Sequence, residues 1–90
     1  MAELDNFVLI DVRNHNEFRA RRLEGAILIP YTQVAARAVN EIYPKDIVVL
    51  VYCQGGRRSA IAARTLIGLG FSNIYDFGGI NDWHFDTISG

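Results

Sequence analysis

The stretch Ile47-Val48-Val49-Leu50-Val51-Tyr52-Cys53-Gln54-Gly55-Gly56-Arg57-Arg58-Ser59 decides how this chain reads. Ile47 to Tyr52 is apolar or aromatic throughout, with no alternation. A run that short and continuous suits a strand buried on both faces of a parallel sheet. It leads into the chain's only cysteine, two glycines, two arginines and a serine. Ala60 to Leu69 then predicts a helix, with Gly70 as its C-terminal stop. Strand, glycine turn and helix in that order put Cys53 at the carboxyl end of a strand and the amino end of a helix. Open α/β sheets keep their sites at that edge.

The chemistry of that position follows from the neighbours. Thiolate is the reactive form of cysteine, and a free thiol with a pKa of about 8.5 is mostly protonated at neutral pH. A helix amino end offers unpaired N–H groups and partial positive charge, which favour an anion. Gly55 and Gly56 lack Cβ atoms, so successive amides can curl around a sulfur or an oxyanion as a nest. Arg57 and Arg58 add full charges close by. All of these lower the thiol pKa and attract an anionic substrate. A lone cysteine is more commonly a small buried hydrophobe. A core cysteine, however, has no need of two arginines beside it, whose desolvation is costly. The reactive reading is preferred.

Composition frames this reading. Ninety residues make one small domain, and a hydrophobic content of 50% supports one compact core. Lys plus Arg number 9 against 10 Asp plus Glu, so no nucleic acid or other bulk polyanion is implied as a partner. The arginines bunch, at Arg19, Arg21 and Arg22 and again at Arg57 and Arg58. A single cysteine excludes an internal disulfide and fits a reducing compartment. There is no run of membrane-spanning length, no amino-terminal signal pattern, no repeat and no linker. The expectation is a soluble cytoplasmic domain without membrane attachment.

Met1 to Asn6 is short and polar. Phe7 to Val12 predicts the first strand, interrupted by Asp11 near its carboxyl end. A carboxylate there shares the sheet edge with Cys53 if the strands are parallel. Pairing with Arg13 is preferred over a direct role, because buried carboxylates serve a paired neighbour. Asn14 and Glu17 form a capping-box pattern opening a short helix to about Arg22. Its Arg19/Arg22 face reads as solvated, and His15, with no second ligand at metal spacing, as a surface residue. Ala26 to Ile29 is the second strand, stopped by Pro30. Tyr31 to Ile42 is mostly helical, with Thr32 as a candidate N-cap and an apolar stripe of Val34, Ala35, Ala38, Val39 and Ile42. Turns at Tyr43–Asp46 and Ser72–Asn73 flank the central strand and helix, and Ile74 to Phe77 is the last strand. Gly78 and Gly79 permit a sharp bend, and Ile80 to Phe85 a short helix or turn in which Trp83 reads as core and His84 takes no role. Strands alternating with helices predict an α/β fold, a small parallel β-sheet with helices on both faces.

Cys53 to Ser59 resembles the active-site loop C-x-x-G-x-R-S of rhodanese-type sulfurtransferases. Leu9-Ile-Asp-Val-Arg13, Glu17-Phe18, Gly25-Ala26 and Ile29-Pro30 are similar to a second signature of that family. Gly70-Phe71, Gly78-Gly79 and Trp83 are similar to a third. The chain departs from the pattern at Arg21-Arg22-Leu23, where relatives read Gly-His-Ile. It is also short at both ends, with a strand and helix missing before the first signature. It is therefore read as a single rhodanese-like domain over 1–90, either trimmed or a piece of a longer protein.

The resemblance implies a rhodanese-like fold and sulfur transfer through a persulfide on Cys53. The donor would be a small sulfur-containing anion such as thiosulfate. The acceptor would be cyanide, a thiol or a partner protein. Gln54, Gly55, Gly56, Arg57, Arg58 and Ser59 would bind the substrate, largely through their amides, with Asp11 and Arg13 in support. Arg58 holds the family's arginine position and is preferred over Arg57 as the inward cation. Ser59 could bond the sulfur, although helix capping alone is preferred. No metal or organic cofactor is required. Two alternatives share the fold. A cysteine phosphatase or arsenate reductase uses C-x5-R, but here the arginine arrives one position early. A non-catalytic interaction module is the other, against which the retained cysteine counts.

Overall fold

In the computed structural model, which describes residues 7–82 and 86–90, parallel strands form one sheet in the order β2-β1-β3-β4. The strands are β1 (Phe7–Asp11), β2 (Ile27–Leu28), β3 (Val48–Cys53) and β4 (Asn73–Gly79). The helices are α1 (His15–Ala20), α2 (Val34–Glu41) and α3 (Arg57–Gly68). Trp83, His84, the end of the Ile80–Phe85 segment and the polar start before Phe7 lie outside the described residues. Among those described, no helix is long and apolar enough to cross a membrane.

β3 pairs along both edges, with β1 and β4; one of its faces is buried in the core, while Val48 and Leu50 are only half-buried, so the expected burial on both faces is incomplete. Val49, Val51 and Cys53 point into a core shared with Ile10 of β1 and Val12 just after it, Val34 and Ala38 of α2, and Ala62 and Leu66 of α3. Burying each of the larger side chains contributes about 1.5–3 kcal/mol. Tyr52 points the other way and packs with Leu23 and Ile80, which follow α1 and β4. The two longer helices thus share one face, and the other has thinner cover. There Phe7, Leu9, Leu50 and Phe77 floor an open apolar groove of about 530 Å³ edged by Glu24 and Asp86.

From β1 the chain crosses outward to β2, and from β3 it crosses outward the opposite way to β4. The strand order therefore reverses between β1 and β3, and the crevice for a ligand opens beyond their carboxyl ends. Asp11 and Tyr52 are register partners there, one step short of Cys53.

Several boundaries differ from the sequence expectations. β2 is reduced to Ile27–Leu28, yet Ile29 and Tyr31 still donate to the Asp11 and Val12 carbonyls at 3.0 Å, so the pairing outlasts the regular strand. Tyr31–Gln33 is a 3-10 turn ahead of α2, and no side chain caps either start, so Thr32 is not an N-cap. Of the predicted stripe, Val34, Ala38 and Ile42 are buried, while Ala35 and Val39 face outward. α1 stops at Ala20 where Arg21 turns extended. Both halves of its capping box are present: the Glu17 amide donates to Asn14 Oδ1 at 2.8 Å, and the Asn14 amide donates to Glu17 Oε1 at 3.0 Å. β4 runs on through Gly78 and Gly79, and its register against β3 shifts between Val51 and Cys53. Gly70, at φ +98°, ends α3 as expected; its amide bonds the Ile67 carbonyl and that of Phe71 the Leu66 carbonyl.

Candidate active site

α3 begins at Arg57, earlier than the Ala60 start predicted from the sequence. The cause is Gly56, whose φ of +104° turns the chain directly from the loop into the helix. Arg57, Arg58 and Ser59 consequently form the helix's first turn, with their amides not bonded within the helix and directed back along its axis. Cys53 Sγ lies in front of them.

The Gly56 amide donates to Sγ at 2.9 Å. Ser59 Oγ lies 3.6 Å from the sulfur and donates to the Gly56 carbonyl at 3.0 Å. In the thiol form the S–H donates to this hydroxyl; in the thiolate form the hydroxyl can turn and donate to sulfur. Burial pushes the Cys53 thiol up. The Ser59 hydroxyl and the amides of Ser59, Gly56 and Arg58 outweigh that burial, and the thiol settles below its ordinary value. Ser59 thus contacts the sulfur and caps no helix amide with its side chain, contrary to the preferred sequence reading.

The sulfur is also less open than the strand–turn–helix pattern implies. Cys53 is 1% exposed, because the early first turn of α3 covers it and its side chain continues the buried Val49–Val51 row. Of the residues that follow Cys53, Gly55 and Arg57 are exposed and Gly56 is half-buried.

The loop is held from both sides. Asp11 and Arg13 are buried at 0% and 2% exposure and form a multiply bonded ion pair, with Arg13 Nη2 2.7 Å and Nε 3.0–3.1 Å from the carboxylate. This is the pairing the sequence favoured for Asp11. Arg13 goes further: Nη1 donates to Gln54 Oε1 at 2.9 Å, Nη2 also reaches the Arg21 carbonyl, and the guanidinium lies over the Tyr52 ring at 5.7 Å. Gln54 in turn donates to Asn81 Oδ1 at 2.6 Å, and the Asn81 amide donates to the Gln54 carbonyl at 3.1 Å. The Gln54 side chain is therefore part of the loop's frame and is turned to β1 and the residues after β4. Gly79 lies against the same loop, and a Cβ there would fall 2.8 Å from Gly55 Cα and closer still to the Gln54 carbonyl.

Arg58 is half-buried and is the more inward of the two loop arginines, as the sequence reading preferred, but its guanidinium is engaged by a carboxylate. Its Nη1 and Nη2 donate to Glu17 Oε1 and Oε2 at 2.7 and 2.8 Å, a two-pronged pair across the gap between α3 and α1. That contact, with help from the Asn14 amide and against the opposing effect of burial, lowers the Glu17 carboxyl to about 2. Arg57 is exposed. Glu17 is the site-shaping residue that local pattern reading assigns only to a helix cap. Its partner is 41 residues away, beyond the reach of any spacing rule. His15 is exposed, and among the described residues no group of His, Cys, Asp or Glu is arranged to hold a metal ion.

A nested cysteine at the reversal point of a parallel sheet defines a class: small α/β domains whose one thiol faces the amides of its own loop and helix. A family model described as a Rhodanese-like domain matches residues 1–86, and the chain belongs to that family of the rhodanese-fold sulfurtransferases. It is 32% identical over 81 residues to the thiosulfate sulfurtransferase PspE of Escherichia coli, covering 90% of this chain and 78% of that protein. It is 36% identical over 89 residues to the adenylyltransferase and sulfurtransferase UBA4 of Candida albicans, of whose length it spans 20%. A solved rhodanese with anions from E. coli superposes with a TM-score of 0.87 at 31% identity, covering 93% of this chain and 99% of that one.

Proposed function

We propose that the domain moves a sulfane sulfur from a small anionic donor of the thiosulfate type to a thiophilic acceptor, through a persulfide on Cys53. The observation that carries this reading is the donor set around Sγ: the Gly56 amide at 2.9 Å, the Ser59 hydroxyl at 3.6 Å and the first-turn amides of α3. The Cys53 thiolate attacks the outer sulfur of the donor. A sulfur–sulfur bond forms, the donor's own sulfur–sulfur bond breaks, and sulfite departs with the electron pair. The terminal sulfur of the resulting persulfide is anionic, and the loop amides are the groups that stabilise it. An acceptor thiolate, or cyanide, then attacks that terminal sulfur and returns Cys53 as thiolate. No external oxidant or reductant enters the cycle.

Membership of the family and the name of the E. coli relative support the activity class. Choice of thiosulfate as donor rests on the local positive charge and on that name. Cys53→Ser is expected to abolish sulfur transfer in a thiosulfate–cyanide assay while leaving the circular dichroism unchanged. Wild-type protein treated with thiosulfate under non-reducing conditions is expected to gain the mass of one sulfur atom. A rate surviving in Cys53→Ser, or the absence of that adduct, sinks the mechanism. No aryl-phosphate hydrolysis is expected.

A further inference from the structure

Cationic residues surround the loop, but they are not equivalent. Arg13 is buried against Asp11, and its remaining donors go to Gln54 and the Arg21 carbonyl. Arg58 is closed onto Glu17 by two hydrogen bonds, and the same carboxylate is held in place by the Asn14 amide. Each guanidinium therefore comes with a compensating carboxylate; Arg58 still acts on Cys53 through space, but the Glu17 carboxylate beside it offsets much of its pull on an incoming anion. Arg57 occupies the first position of the same helix, is exposed, and has no hydrogen-bond or ion-pair partner among the described residues. Successive helical side chains diverge by about 100°. With Arg58 turned towards α1, Arg57 is the neighbour left to face the solvent side of the rim.

We infer that Arg57, not Arg58, is the residue that selects anionic over neutral substrates at Cys53, and that Arg58 is a positioning residue whose ion pair with Glu17 ties the first turn of α3 to α1. The inference rests on Cys53 being the reactive thiol of the proposed function, but not on the identity of its sulfur donor. It replaces the family's arginine position with the adjacent variable one as the determinant of charge preference in this chain. The amide of Arg58 stays on the sulfur while its guanidinium serves as a tether.

The test compares Cys53 alkylation by iodoacetate, an anion, and by iodoacetamide, its neutral counterpart, at low salt. Both react with the same thiolate, so the ratio of their rates cancels changes in thiolate fraction and reports the charge the reagent meets. Arg57→Ala is expected to lower the iodoacetate/iodoacetamide ratio roughly fivefold, the effect of one unit charge about 4 Å away in water. Arg57→Lys retains the ratio. Arg64→Ala, about two helical turns farther along α3, makes the same change in net charge and also retains it. Glu17→Gln exposes the charge of Arg58 and raises the ratio. Arg58→Lys keeps a positive charge without the two-pronged geometry, and is expected to shift the pH profile of iodoacetamide alkylation more than the ratio. A ratio unchanged in Arg57→Ala, or one that falls equally in Arg64→Ala, overturns the assignment, as does a Glu17→Gln variant with no rise. A wild-type protein inert to both reagents overturns the reactive-thiol reading itself, a result distinct from any of these. In the sulfur-transfer assay Arg57→Ala should raise the KM for thiosulfate and leave kcat near its original value.

Discussion

At the scale of single residues, the state of Cys53 is set by competition between burial and hydrogen bonding. The core around Val49, Val51 and Ala62 disfavours a charged sulfur, and the amides of Gly56, Arg58 and Ser59 with the Ser59 hydroxyl favour it. The hydroxyl is the easiest of these donors to remove, since Ser59→Ala deletes one oxygen from a fully buried site and leaves the backbone unchanged. Its loss is expected to move the pH midpoint of iodoacetamide alkylation upward. At neutral pH the rate should fall about tenfold, the equivalent of roughly 1.5 kcal/mol for one hydrogen bond to a charged group. An unmoved midpoint would show that the amides alone ionise the sulfur.

Among the elements, the junction of β3, the loop and the end of β4 depends on the absence of a side chain at Gly79. A Cβ there would meet the backbone of Gln54 and Gly55, and backbone has little room to yield. Gly79→Ala is expected to destabilise the domain by about 1–3 kcal/mol in chemical denaturation, the usual range for overpacking. It should slow sulfur transfer as well, because the displaced loop carries the Gly56 amide. Gly55→Ala makes a useful contrast. Nothing lies within 4 Å of its added Cβ, and its backbone φ is not in the left-handed region, so stability should stay close to wild type. Equal effects of the two substitutions would refute this account of the junction.

For the molecule as a whole, the ion pair of Glu17 with Arg58 joins α1 to α3, and its pH dependence has a defined sign. The Glu17 carboxyl ionises at about 2 in the folded chain, against an ordinary value of 4.5. Its contribution to stability is therefore complete above 4.5 and is lost as the pH falls from there towards 2. Urea midpoints measured across that interval should fall more steeply for wild type than for Glu17→Gln. Parallel curves would mean that the pair contributes nothing to folding. The pair is about one-quarter exposed, so salt should shrink the difference.

Much of this molecule is legible along the chain because its determinants are local or periodic. The unbroken apolar run of β3, the capping box of Asn14 and Glu17, the Gly70 stop and the glycine-rich turn after Cys53 each depend on neighbours within a few positions. Backbone sterics and the burial of a continuous apolar run translate them directly into strand, helix and loop. The early start of α3 was less readable, since it hinges on the positive φ that Gly56 adopts beside the Gly78 and Gly79 backbone. What only the tertiary structure decided is which charges remain uncompensated. Asp11 finds Arg13 two residues on, a pairing the sequence anticipates, but Glu17 finds Arg58 across 41 residues and two elements. Ion pairing acts through space, so no pattern in the chain could show that the arginine at the motif position is already paired with a carboxylate while its neighbour has no such partner among the described residues.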